Sequence, residues 1–306
     1  MNGIITPETN RIGTSEETEK NRVTPRTLYL VATPIGNLSD LSPRALKVLN
    51  EVSFIAAEDT RNSANLLQCF GIHTPLISYH EHNRKARGEE ILRKLKEGAS
   101  CALITDAGTP AISDPGEDLV VLCAEEGIPV IGIPGCCAAV TALSVSGLPT
   151  GKFVFEGFLP TQKAQKAERL EKLKYEERTV LLYEAPHRLK STLQSLRDAF
   201  GPDRRIALCR ELTKRNEETL RMTLGEAVSR YESAEPRGEY VIVLEGCPAD
   251  AWREGSVQSS LSPEEYVQAI LDKNPGIKRL EAVKKAAKEY GIPRGDLYDS
   301  IMKKEN

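Results

Sequence analysis

The sequence predicts an α/β protein: an open, mainly parallel sheet, then a second α/β region, then a small helical tail. Three observations carry this. From Leu28 to about residue 147, short β-branched runs alternate with helical patterns, the order of elements that produces a parallel sheet with crossover helices. Beyond a break at GLPTGK (147–152), five further strand candidates follow with fewer helices between them. After residue 260 the apolar residues recur only at helical spacing.

The elements follow in order. LYLVA leads to TPIGNLSDLSPRALKVLN, where Ser42 reads as an N-cap and Pro43 suits the first helical position. VSFIAA leads to a helix closed by Gly71, and PLISYH to one from about Ala86 to Glu97, ended by Gly98. CALIT leads to DAGTPAISDPGEDLVVLCAEEG, with Asp114 and Pro115 read again as N-cap and first-turn proline. PVIGI leads to PGCCAAVTALSVSG. In the second region FVFEGFLP, TVLLYEA, RRIALCREL, ETLRMTL and GEYVIVLEG read as strands, with helices at about 162–176, 187–199 and 224–232. The adjacent pair RIALCREL and ETLRMTL predicts a partly antiparallel sheet. The expected organisation is a disordered arm (1–26), an N-terminal α/β domain (27–148), a C-terminal α/β domain (149–247), a linker (248–260) and a three-helix, helix-turn-helix-like module (261–306). In that module Leu280, Val283, Ala287 and Tyr290 fall at helical spacing and read as its apolar stripe.

No apolar run approaches the roughly 20 residues that span a bilayer, and the polar N-terminus has no signal core, so a cytoplasmic protein without a membrane partner is expected. Seven cysteines, an odd count without CxxC or Cys–His spacing, speak against a disulfide framework or a zinc site. Most lie in apolar runs as small buried hydrophobes; the adjacent Cys136 and Cys137 carry no further redox signature. The net charge of −3 argues against indiscriminate coating of nucleic acid but leaves room for a local basic surface. Lys278, Arg279, Lys284, Lys285 and Lys288 crowd one tail helix against Glu281 and Glu289.

Ligands of open α/β sheets bind outside the carboxyl ends of the strands. There the first region carries TPIGN, AEDTR, YHEHN, TDAGTP and PGCC. No GxGxxG follows the first strand and no GxxxxGK[ST] occurs, which excludes a dinucleotide fingerprint and a P-loop. The DAGTP loop lets backbone approach a polar ligand at a helix start. Glu58, Asp59, Arg61, His80, Glu81, His82, Asn83 and Asp106 all fall on this rim. His80 and His82 suit a metal pair or a hydrogen-bonded turn, but no third ligand is evident, and no metal is expected.

VATPIGNLSDLSPRAL, AAEDTR, YHEHN, LITDAGTPAISDPG, PGC, YEAPHRL, RELTK and GEYVIVLEG, in this order, resemble the ribosomal RNA small subunit methyltransferase I family, a branch of the tetrapyrrole (corrin/porphyrin) methylase superfamily. The resemblance covers residues 27–246, and the tail is also similar. PGCC departs from it, since the superfamily usually has serine or alanine just after the glycine. The resemblance implies two α/β domains of the tetrapyrrole-methylase type, S-adenosylmethionine in the cleft between them, a homodimer, and 2′-O-methylation of a cytidine in the decoding region of small-subunit ribosomal RNA, whether naked or in the assembled subunit. It implies a cofactor site of Pro34, Gly36, Asp106, Gly108, Thr109 and Ile112 from the first domain, with Tyr183, Glu184 and Ala207 from the second.

A ribose hydroxyl attacks a methyl sulfonium only once its proton is accepted. The candidate bases are Glu58, Asp59, His80 and His82, with Arg61 orienting a carboxylate or gripping phosphate. Arg188, Arg210, Lys214 and Arg215, with the tail's cations, are the candidate RNA contacts. Two other readings stay open: a precorrin (tetrapyrrole) methyltransferase on the same scaffold, and a non-catalytic RNA-binding or assembly protein.

Overall fold

A computed structural model describes residues 22–248, 261–274 and 276–304. The expected arm before residue 22 and the expected linker after Pro248 lie outside the described residues. The first sheet uses β1 (Leu28–Val31), β2 (Phe54–Ala57), β3 (Leu76–Ser78), β4 (Cys101–Ile104) and β5 (Val130–Ile133) in the order β3-β2-β4-β1-β5, every pair parallel. Between them run α1 (Pro43–Glu51), α2 (Thr60–Cys69), α3 (Arg84–Lys96) and α4 (Glu117–Glu125), and α5 (Ala138–Val145) follows β5. The strands are apolar on both faces because helices cover both. Tyr29, Val31, Ile55, Ala57, Ala102 and Ile104 meet Ala45, Val48 and Leu49 of α1 and Leu67 of α2. Leu28, Phe54, Ala56, Cys101 and Leu103, the alternate positions, meet Ile91 and Leu95 of α3 and Leu119 and Cys123 of α4.

Helix ends follow the expected chemistry at α1, where the Ser42 side chain accepts the Ala45 N–H and Pro43 opens the helix. They depart from it at α4. Asp114 and Pro115 do not start that helix; Gly116 is its N-cap, without a side-chain cap bond. The reason is the backbone at Gly116, whose φ of +141° is far from helical, so the helix can begin only at Glu117; a Cβ at 116 would lie 2.7 Å from Leu103 Cδ2, which reserves the position for glycine.

The second sheet uses β6 (Phe153–Phe158), β7 (Thr179–Glu184), β8 (Arg205–Arg210), β9 (Glu218–Thr223) and β10 (Tyr240–Leu244) in the order β6-β7-β10-β8-β9. Its β8–β9 and β10–β8 pairs are antiparallel, as the adjacent strand pattern predicts. Ala139, Ala142 and Leu143 of α5 pack on Leu181, Ala207, Cys209, Val241 and Val243 of this sheet, so the last helix of the first half is part of the second half's core. The helices α6 (Lys163–Leu173), α7 (Pro186–Phe200) and α8 (Leu224–Ser233) complete this stretch, and α8 starts from a capping box of Thr223 and Glu226.

The chain resolves into two compact units. One runs to Leu159 and includes Leu181–Leu244; the other takes Pro160–Val180 and the chain from Glu245 onward. In the latter, α9 (Pro263–Lys273), α10 (Arg279–Tyr290) and α11 (Arg294–Lys304) enclose Val267, Ile270, Ala282, Val283, Ala286, Ala287, Leu297 and Ile301. Leu280, expected in the apolar stripe, is instead 53% exposed. The buried arc is centred on Ala282 and Ala286, whose small side chains let α10 lie close to its neighbours, and Leu280 falls on its flank. Among the described residues no helix is long and apolar enough to cross a membrane.

Candidate functional site

The order of the first sheet locates the site. From β1 the chain crosses toward β2 with α1 on one face; from the adjacent β4 it crosses toward β5 with α4 on the other. The two loops part, and the crevice between them is the switch point where ligands of such sheets bind. Thr33 N–H donates to Gly108 O at 2.9 Å and Gly108 N–H to Thr33 O at 3.0 Å, stitching the loops together at their base. Thr109 Oγ1 donates to Cys136 O at 2.9 Å and fastens the loop after β5. Gly108, at φ +90°, has a backbone conformation that a side chain would strain, and it lies on the wall of a 490 Å³ cavity. That volume is within the range of small-molecule sites, roughly 300–1,000 Å³.

From the first half the cavity is lined by Ile35, Gly108, Thr109, Ile112, Asp114 and Cys137, among others; from the second by Phe158, Tyr183, Glu184, Glu211, Lys214 and Tyr240. The expected cofactor residues Gly108, Thr109, Ile112, Tyr183 and Glu184 therefore come together. Pro34, Gly36, Asp106 and Ala207 are not on the wall. Pro34 is buried, and its neighbour Ile35 lines the cavity instead. Gly36 is exposed and packs on Lys214; a Cβ would stand 2.4 Å from Lys214 Cγ. The Asp106 carboxylate is exposed and accepts Asn62 Nδ2 at 3.0 Å. Ala207 is wholly buried in the sheet's core.

Tyr183 is held from two sides. Its hydroxyl accepts the Ala139 N–H at 3.2 Å, at the start of α5, where Cys137 supplies no side-chain cap. Phe155 and Phe158 pack edge-on at 5.0 and 5.7 Å. Burial, then the nearby Cys137 and Asp114, push its phenol up to about 12, so it stays protonated. Glu184, almost wholly buried, accepts the Ala185 N–H at 3.0 Å and the Thr192 hydroxyl at 2.6 Å, and pairs with Arg188 Nε at 3.3 Å.

Several cations expected to grip RNA have partners inside the protein. Arg188 joins Glu184 and donates to Leu159 O at 2.6 Å. Arg210 donates to Arg237 O at 2.6 Å and pairs with Glu218 at 3.6 Å. Lys214 sits on the cavity wall between Glu211 (3.0 Å) and Glu239 (2.7 Å). Burial lowers the Lys214 pKa, but its bonds to the two carboxylates outweigh this, and the ammonium is held. Glu211 is kept as a carboxylate by the Glu239 N–H and by Lys214. Gly238 (φ +80°) makes room for it: a Cβ there would lie 2.4 Å from Glu211 Cγ. Arg215, Lys278, Lys284 and Lys285 are exposed, and Arg279 is half-buried. The side chain of Lys288 lies outside the described residues.

The candidate bases divide similarly. Asp59 N-caps α2 by accepting the Arg61 N–H at 2.8 Å and pairs with Arg61 Nη2 at 3.2 Å, which keeps its carboxyl below the usual range. Asp59 is thereby committed to a helix end, while the Arg61 side chain stays largely exposed. The YHEHN loop is a hydrogen-bonded turn: Asn83 N–H donates to His80 O, and His80 N–H to Asn83 Oδ1. Asn83 Nδ2 donates to His80 Nε2 at 3.2 Å. His80 Nδ1 is buried without a hydrogen-bond partner among the described residues. His82 is exposed, its ring 6.0 Å from that of His80. Among the described residues no three His, Cys, Asp or Glu side chains are placed to hold a metal ion.

Glu58 is raised by burial and then by the Asp106 charge, against the Asp106 N–H and His80. Asp114 is half-buried on the cavity wall and pushed up to about 6 by burial, then by Glu58 and Asp106. Asp114 and Glu211, with His187, Glu239 and Tyr240, are polar lining residues that reading the sequence missed. Asp-Pro-Gly before a helix imitates a cap, and nothing in the local pattern shows that Glu211 meets residues 238 and 239.

The Tetrapyrrole (Corrin/Porphyrin) Methylases profile matches residues 27–228. Ribosomal RNA small subunit methyltransferase I of Halalkalibacterium halodurans is 49% identical over 278 residues, 89% of this chain and 93% of that protein. The protein of the same name from Bacillus subtilis is 43% identical, over 91% and 94%. Of solved structures, uroporphyrin-III C-methyltransferase from Thermus thermophilus, complexed with S-adenosyl homocysteine, is similar at TM-score 0.50 and 18% identity, covering 72% of this chain and 97% of that one. A diphthine synthase is similar at 0.54 and 12%, covering 72% and 90%. At such identities these two likenesses show the fold alone. By its profile match and its close relatives, the chain belongs to the tetrapyrrole (corrin/porphyrin) methylases and, within them, to the ribosomal RNA small subunit methyltransferase I family.

Proposed function

We propose that the protein is an S-adenosylmethionine-dependent RNA (cytidine-2′-O-)-methyltransferase that modifies the decoding region of small-subunit ribosomal RNA. The observation that carries this reading is the 49% identity, over 89% of the chain, to a ribosomal RNA small subunit methyltransferase I. The cavity at the switch point supports it chemically. The cofactor bears a sulfonium and an ammonium against one carboxylate and is a net cation. Asp114, Glu184, Glu211 and Glu239 line the cavity with Lys214, and Glu58 and Asp106 push Asp114 toward its neutral form. A corner so short of positive charge favours a cationic ligand.

When bound, the cofactor supplies an already activated methyl group. The chain's own residues do the rest. Ile35, Ala138, Phe158 and Tyr183 give the cavity apolar walls that exclude water, and the Gly108–Thr109 backbone comes close to a polar ligand. A rim carboxylate accepts the hydroxyl proton. The exposed cations Arg215, Lys278, Lys284 and Lys285 serve phosphate contact, the last three on the module 261–306 as a docking piece separate from the domains 27–148 and 149–247. The protein acts in the cytoplasm as a homodimer, for which exposed Val140 and Phe153 offer apolar surface; light scattering in solution checks the dimer.

The test uses small subunits from cells lacking the protein, incubated with the purified protein and cofactor. A new ribose 2′-O-methyl cytidine in the decoding region is expected. Methyl transfer to a tetrapyrrole, with none to ribosomal RNA, overturns the reading.

A further inference from the structure

Resting on that reading, we infer that Asp114 is the catalytic base of the methyl transfer and that Glu58 tunes it. The Asp114 carboxylate accepts the proton of the ribose 2′-hydroxyl. The 2′-oxygen forms its bond to the methyl carbon as the carbon–sulfur bond breaks, the electron pair stays on sulfur as a neutral thioether, and the proton leaves Asp114 for solvent once product departs.

The first argument is placement. Asp-Pro ahead of a helix ordinarily caps it. Here Gly116 takes the cap position and no side-chain cap bond forms, so the Asp114 carboxylate is released from the helix end and lies on the cavity wall. Its backbone is constrained on both sides, by Ser113 at φ +61° and by the ring of Pro115, so a shaped loop presents it.

The second is elimination by chemistry. Asp59 holds Arg61 and caps α2, and His82 is exposed. Glu184 is occupied by Thr192, Arg188 and the Ala185 N–H. Glu211 is occupied by Lys214 and the Glu239 N–H. Tyr183 remains a phenol.

The third is basicity. Asp114 is faced by Glu58 from the end of β2, Asp106 from the end of β4 and Tyr183 from β7. Burial and the two carboxylates, against the opposing effect of the Thr105 side chain, bring it to about 6, close to the neutral range in which a general base works best.

Single-turnover methyl transfer, at saturating cofactor and small subunit, tests this with wild type, Asp114→Asn, Asp114→Glu and Glu58→Gln. Asp114→Asn is expected to lose about 10²- to 10⁴-fold at every pH, with Asp114→Glu recovering part of the rate. The wild-type rate rises with pH along a limb that lies below about 6, the ligand-free value, because the bound cation favours the carboxylate, and Glu58→Gln moves that limb lower still, because a neighbouring negative charge is gone. Calorimetry at pH of about 6, in two buffers of different ionisation heat, supplies a readout apart from activity. Binding a cation beside Asp114 releases a proton from wild type and not from Asp114→Asn. An Asp114→Asn enzyme with the wild-type rate, or with the same proton release, overturns this proposal and leaves the functional reading standing. A wild-type protein that transfers nothing to ribosomal RNA overturns both.

Discussion

Replacing Asp114 with asparagine is expected to make the ligand-free protein more stable at neutral pH. The folded state holds this carboxyl at about 6, against an ordinary 3.8. A shift of about two units corresponds to about 3 kcal/mol at about 1.4 kcal/mol per unit, and partial exposure of the group reduces this to about 1–2 kcal/mol. The sign follows from proton binding. The folded state binds the Asp114 proton more tightly than the unfolded chain, so this group's contribution is full below pH of about 4. It is lost as pH rises to about 6. Asparagine has no charge to bury, so variant and wild type should unfold alike near pH 4. The gap should open between pH 4 and 6 and stay level above. Urea unfolding at several pH values measures it; by heat the expected gain is roughly 2–4 °C per kcal/mol. A gap that does not change with pH, or a variant less stable at neutral pH, would refute the claim that Asp114 is charged at a cost in this cavity.

Gly238→Ala places a Cβ 2.4 Å from Glu211 Cγ at φ +80°, and should cost about 1–3 kcal/mol while weakening cofactor binding, read by thermal unfolding and calorimetry. Cys137→Ser supplies the missing side-chain cap of α5 and should add about 0.5–1 kcal/mol; an unchanged denaturation midpoint would show that the Tyr183 hydroxyl already meets that need. The double change Lys284→Glu with Lys285→Glu should weaken binding to the small subunit and flatten its salt dependence by roughly one per lost phosphate contact, with cofactor affinity unaltered. An unaltered salt slope would take α10 out of the RNA interface.

The ten strands of the described residues were legible in the sequence, most of them because a buried strand must be an apolar run and a turn must interrupt it. Ser42 with Pro43, Gly71 and Gly98 marked helix ends for equally local reasons. The ordered motifs from TPIGNL to GEYVIVLEG carried the family, and with it the cofactor and the RNA. Tertiary structure alone decided which side chains face the cavity. Ile35 lines it while Pro34 and Gly36 do not, a matter of how one loop is stitched to Gly108, 75 residues away from Thr33. Lys214 looked like a free cation; Glu239, 25 residues further on and beside the neighbouring strand β10, engages it. Asp114 looked like a cap; the non-helical backbone of Gly116, at φ +141°, takes the cap position, and Asp114 lies on the cavity wall. At Ile35 and at Lys214 the sequence states a local preference, and a contact between residues far apart in the chain overrides it. A local pattern records how a segment folds and how deeply it is buried; which distant partner a charge finds depends on the sheet order that brings the segments together.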